Sequence, residues 1–143
     1  MTAIRQANMS EAAREKLIRD CLARAPYETC GILLGTIEND RLYADEHRLV
    51  RNASAEPFAT FRFDPADWVR VYYDAQKNQR SIVGIFHSHP QGSPTPSALD
   101  RAGWDGWATY WIVSLADGHA NVHVFGRTPW NEWTKIATNP KPR

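Results

Sequence analysis

Residues Ser81–Asp100 read SIVGIFHSHPQGSPTPSALD, and the rest of the chain is understood outward from them. The first half, Ile82-Val83-Gly84-Ile85-Phe86, is an apolar, β-branched run of the kind that forms a buried strand. That strand runs into His87-Ser88-His89. In an extended segment residues i and i+2 face the same side, so both imidazoles can point at one spot. Pro90 stops the strand, and Gly92, Pro94 and Pro96 make a loop. Ser97 is a helix N-cap residue type with Asp100 in the first turn behind it. Two histidines and a carboxylate brought together in this way form a zinc-type ligand set, with a fourth position left for water. Ser97-Ala98-Leu99-Asp100 is equally an ordinary capping box that needs no metal, and that reading stays open on these residues alone.

His87-Ser88-His89-Pro90, then six residues, then Ser97 and Asp100, resembles the JAMM (MPN-plus) metalloprotease signature H-[ST]-H-P…S-x-x-D at every defining position. The family also has an upstream glutamate before an apolar strand. Glu28-Thr29-Cys30-Gly31-Ile32-Leu33-Leu34-Gly35 is similar to that segment. Without the resemblance Glu28 is an unremarked loop carboxylate among Glu38, Glu46, Glu56 and Glu132. The resemblance extends from the first helix to the last strand. It implies one Zn²⁺ per chain on His87, His89 and Asp100 with a bound catalytic water. It further implies Glu28 as general base and then acid, and Ser97 as a hydrogen-bond donor to the oxyanion. The fold it implies is α/β: a mixed, curved β-sheet packed between α-helices, of the cytidine-deaminase-like JAMM/MPN type. Members hydrolyse peptide or isopeptide bonds at the C-terminus of ubiquitin-like proteins. Only ten residues separate His89 from Asp100, so the chain looks like the small stand-alone prokaryotic members. The expected partner is a ubiquitin-like or sulfur-carrier protein ending in a Gly-Gly tail. Two other readings share these residues: a zinc hydrolase of a small peptide or amide, and a non-catalytic MPN scaffold. Retention of all five site residues argues against the scaffold.

Composition bounds the remaining possibilities. A chain of 143 residues is expected to be a single domain, 1–143, with residues 138–143 a flexible tail. With 17 Lys+Arg against 16 Asp+Glu the net charge is +1, which argues against an electrostatic nucleic-acid binder. No run of about 18 apolar residues exists, so no membrane span is expected. Cys21 and Cys30 are too few for a disulfide framework; buried free thiols and a cytoplasmic setting are expected.

Around the central stretch, Ser10 caps a helix expected to about Ala25, with Ala13, Leu17, Cys21 and Leu22 as its buried stripe. Strands are expected over Cys30–Ile37 and Leu42–Val50, joined by a turn at Glu38-Asn39-Asp40. Phe58–Phe63 is expected to be extended. Asp64-Pro65-Ala66-Asp67 starts a second helix whose core stripe is Trp68, Val71, Tyr72 and Ala75. A short helix is expected over Ser97–Trp107. Strands then follow at Tyr110–Leu115, Asn121–Phe125 and Trp130–Ala137, the first two joined by a turn at Asp117-Gly118. His47, His119 and His123 lack the shared-face spacing and a flanking carboxylate, and are expected to be surface or satisfied histidines.

Overall fold

The computed structural model describes residues 3–98, 100, 106–116, 119–128, 130 and 132–138. The expected Asp117-Gly118 turn, the body of the helix behind Asp100 and the tail beyond 138 lie outside the described residues. Strand β1 (Gln6–Met9) precedes helix α1 (Glu11–Arg24), the hairpin β2 (Cys30–Glu38) and β3 (Arg41–Val50), and helix α2 (Pro65–Lys77). Strands β4 (Ser81–His89), β5 (Tyr110–Ala116), β6 (His119–Arg127) and β7 (Trp133–Thr138) complete the chain.

Each helix start follows from its cap. The Ser10 hydroxyl accepts the Ala13 N–H at 3.1 Å, and the Asp64 carboxylate accepts the Asp67 N–H at 3.0 Å with Pro65 at the first helical position. The buried faces are narrower than the sequence suggests. Leu22 is half-exposed and Tyr72 exposed, whereas Ala13, Leu17, Cys21, Val71 and Ala75 are buried. Leu22 follows Cys21 by one residue, about 100° around the helix, and so leaves the contact stripe.

The sheet is mixed: β1 is parallel to β3 and β7, β4 is parallel to β5, and the other neighbours are antiparallel. Residues of all seven strands meet in one core, from Ala7, Leu42 and Leu33 through Val83, Trp111, Val124 and Ile136, covered by Leu17 and Cys21 of α1. The other face packs Ile32, Leu34, Ile85 and Ile112 against Val71 and Ala75 of α2. Helices on both faces match the expectation; an open curved sheet does not. The strands close into a barrel in the order β1-β3-β2-β4-β5-β6-β7. Closure is the work of β1, which pairs Gln6–Met9 with Arg41–Ala44 on one side and Gln6 and Ala7 with Ala137 and Thr138 on the other. A strand here removes the two free edges that an open sheet would leave. Thr138, expected in the tail, is therefore the paired end of β7.

Two further expectations are corrected. Ala59 and Thr60 both donate to the Glu56 carbonyl, so Phe58 lies in a turn; of the Phe58–Phe63 stretch only Phe63 forms a β-bridge, with Asn52. The last strand begins at Trp133 because the Thr128 hydroxyl gathers the Trp130 and Glu132 N–H groups, leaving Trp130 in a turn and 80 % exposed. No helix among the described residues is long and apolar enough to cross a membrane.

Candidate metal centre and its cleft

Strand β4 is buried along its second half, with His87 paired to Cys30 of β2 on one side and to Ile112 of β5 on the other. Its alternation turns His87 and His89 toward the α2 face and Ser88 away. The two Nε2 atoms lie 2.8 Å apart, and Asp100 Oδ2 is 3.2 Å from each. Among the described residues these three side chains form the one group able to hold a metal ion, and all are buried. A tetrahedral zinc with bonds of about 2.0–2.1 Å needs ligand atoms about 3.3 Å apart, which the two Asp100 edges match, while the Nε2 pair stands closer. The donor set is also a zinc set, two imidazole nitrogens and a carboxylate oxygen.

Each ligand atom is oriented by a neighbour. The Nδ1 of His89 donates to the Ser93 carbonyl at 2.8 Å, which leaves Nε2 with its lone pair turned to the centre. The His87 ring stacks on Phe61 at 4.5 Å and meets the edge of Tyr110 at 5.4 Å; its Nδ1 has no hydrogen-bond partner. Asp100 and Ser97 form a reciprocal capping box. The Ser97 N–H donates to Asp100 Oδ2 at 2.7 Å, and the Asp100 N–H donates to Ser97 Oγ at 3.0 Å. The capping box of the sequence is thus present, and it aims the carboxylate at the histidines.

Glu28 is buried, with Oε1 3.9 Å from His87 Nε2 and without a hydrogen-bond partner among the described residues. The other glutamates named with it face solvent or, like Glu46, pair with arginines. Burial pushes the Glu28 carboxyl up to about 7; His89 draws it down and Asp100 adds to the rise. Burial acts the same way on Asp100, but the adjacent His87 and His89 imidazoles and the Ser97 N–H outweigh it and hold that carboxyl well below the usual range. Burial lowers His87, which favours the neutral imidazole that a metal needs. For His89 burial is outweighed by Asp100 and the Ser93 carbonyl, and its pKa rises.

Beside Asp100 and Ser97 opens a cleft of about 420 Å³ walled by Phe61, Phe63, Trp68, Trp107 and Tyr110. Its rim includes the segment 59–63. In the Asn52–Phe63 bridge the Ala53 and Asp64 N–H groups bond to the Arg62 and Arg51 carbonyls, so Phe63 turns its own N–H and C=O away from Asn52.

Two residues of the site carried no signal in the sequence. Phe61 is an aromatic in a polar loop. Asn52 is a single amide. Ser88, between the two histidines, accepts the Thr29 N–H on its hydroxyl at 2.8 Å and donates its own N–H to the Thr29 carbonyl at 2.8 Å, clamping the residue after Glu28 to β4. The remaining histidines stand apart from the metal group: His47 pairs with Asp20 at 2.6 Å, His123 contacts Ser114 at 3.2 Å and His119 is exposed. Both cysteines are buried free thiols, pushed up to about 12 by burial.

The chain matches the profile of prokaryotic homologues of the JAB domain over residues 10–133. It is 32% identical over 111 residues to a desampylase of Haloferax volcanii, covering 76% of this chain and 71% of that one. It is 30% identical over 111 residues to a CysO-cysteine peptidase of Mycobacterium tuberculosis, covering 74% of each. A solution structure of a protein from Desulfitobacterium hafniense superposes with a TM-score of 0.82 at 24% identity, over 95% of this chain and 94% of that one, and so shares the fold.

Proposed function

Because the chain belongs to the prokaryotic homologues of the JAB domain, we propose that it is a zinc-dependent peptidase or isopeptidase acting at the C-terminus of a ubiquitin-like or sulfur-carrier protein. The observation that carries this reading is the convergence of two Nε2 atoms and one carboxylate oxygen within 3.2 Å, with a second, buried carboxylate 3.9 Å from His87. His87, His89 and Asp100 hold one zinc ion. Bound there, zinc supplies Lewis acidity and a water activated at neutral pH. Glu28 accepts the proton of the attacking water and returns it to the leaving amine, a base that becomes the acid. Its burial suits this work, since a carboxyl raised toward neutrality holds and releases a proton readily. Ser97 donates its hydroxyl hydrogen to the developing oxyanion. Its oxygen is already occupied in accepting from the Asp100 N–H, which leaves the hydrogen free to turn into the cleft.

The substrate class is supported by the names of the relatives, a desampylase and a CysO-cysteine peptidase. It is also supported by the shape of the cleft. An extended tail adds as a strand against residues 59–63, where Phe63 turns its N–H and C=O away from Asn52, and a Gly-Gly end passes the aromatic walls.

The test is mass-spectrometric cleavage of ubiquitin-like carriers extended beyond a C-terminal Gly-Gly, comparing wild type with Glu28→Gln. Cleavage after Gly-Gly by wild type alone is expected. A zinc-loaded wild type that leaves every such carrier intact overturns the substrate class, and a protein that binds no zinc overturns the mechanism.

A further inference from the structure

Between β3 and α2 the chain runs from Arg51 to Asp64 with one β-bridge, and one side chain in it, Asn52, makes four hydrogen bonds to the chain around it. The Asn52 Oδ1 accepts the Ser54 N–H at 3.0 Å and the Arg62 N–H at 3.1 Å. Its Nδ2 donates to the Thr60 carbonyl at 3.1 Å and to the Glu28 carbonyl at 3.0 Å. Two donors and two acceptors are all served, so the amide has one orientation that satisfies its surroundings. The two carbonyls it holds belong to chain segments that approach His87 from different sides. One carries Glu28, whose carboxylate stands 3.9 Å from the imidazole; the other leads into Phe61, whose ring stacks on it at 4.5 Å. The second segment is also a wall of the cleft.

We propose that Asn52 is a positioning residue that couples the cleft wall to Glu28, so that a substrate tail lying along residues 59–63 helps set the base. This inference rests on the peptidase reading above. Glu28 precedes the first residue of β2, and besides the Asn52 amide its main chain is held by its N–H to the Pro57 carbonyl at 2.7 Å, a bond to the same loop. Placement of the carboxylate is therefore shared between the loop and the Ser88 clamp on Thr29, and Asn52 is the joint to the loop. A tail that orders the wall tightens the joint; a loosened joint displaces the base by a fraction of an ångström. Misplacement on that scale costs about tenfold to a hundredfold in rate.

The experiment is a double-mutant cycle of Asn52→Asp and Glu28→Gln, read as single-turnover cleavage of an extended carrier with zinc content measured in each protein. Asn52→Asp keeps the acceptor atom that serves Ser54 and Arg62 and replaces the donor that serves Glu28 and Thr60. It is expected to lower kcat about tenfold to a hundredfold with zinc content unchanged. In the Glu28→Gln background the same change is expected to cost less than about threefold, because a residue acting through Glu28 has little left to lose. Ser54→Ala removes a hydroxyl that bonds within the loop, to the Thr60 hydroxyl and the Glu56 N–H, outside the cleft wall, and is expected to leave kcat within about twofold. Equal losses in both backgrounds, a fall in zinc content, or an equal effect of Ser54→Ala overturns the proposal. Inactivity of the wild type on every carrier strikes the peptidase reading itself, whereas an additive cycle in an active enzyme strikes only the role of Asn52.

Discussion

Glu28 is an ordinary glutamate until the fold encloses it. Its carboxyl rises to about 7 because burial disfavours its charge, while an unfolded chain ionises it near the usual 4.5. Between those two values the unfolded state has released the proton and the folded state still holds it. Stability is therefore lost as pH rises through that window, and the loss is complete above it. In the metal-free protein Glu28→Gln is expected to raise stability at pH 8 by about 1–2 kcal/mol, part of the full shift, and to change little at pH 4. Thermal melts at the two pH values check this; equal effects at both would refute it. Asp100 works in the opposite sense: its depressed carboxyl adds stability above the ordinary aspartate range, lost as the solution is acidified. In the zinc-loaded protein Glu28→Gln is expected to lower turnover by about 10²–10⁴ without releasing metal, measured by parallel rate and zinc assays.

At the level of elements, the site is a junction of β4 with the segment that enters β2. Ser88 makes it, through paired bonds to the N–H and carbonyl of Thr29. Ser88→Ala leaves the buried Thr29 N–H with no acceptor, which is expected to destabilise the protein by about 1–3 kcal/mol in chemical denaturation. Turnover should fall as well, since Glu28 is the next residue. Zinc content should hold, because Ser88 faces away from the ligands. Strand β2 then runs close to its neighbour: a Cβ at Gly31 would stand 2.1 Å from the Arg48 carbonyl oxygen and 2.7 Å from the Phe86 ring, so the close approach of β2 to β3 and β4 depends on glycine there.

For the whole molecule, metal binding and folding are expected to be linked. Three buried ligands come from a strand end and a helix start, and any ion that binds only the folded state stabilises it. Adding zinc to the metal-free protein at about a hundred times Kd should raise stability by about 2.7 kcal/mol, read as an increase in Tm. His87→Ala or Asp100→Ala should abolish that increase together with activity. Much of this was legible in the sequence. Same-facing histidines follow from strand period alone, the S-x-x-D cap follows from helix-end chemistry, and both helices announce themselves through Ser10 and Asp64-Pro65. These are local properties, fixed by spacing within a few residues. What the tertiary structure decided is non-local. Strand β1 has four residues and a weak pattern, so nothing in it reveals that it closes the barrel between β3 and β7. Phe61 against His87, Asn52 on the Glu28 carbonyl and the enclosure of the Glu28 carboxyl each join residues at least 24 apart in the chain. Periodicity and capping carry no information across such distances; packing alone brings those groups together, and packing raises the Glu28 carboxyl.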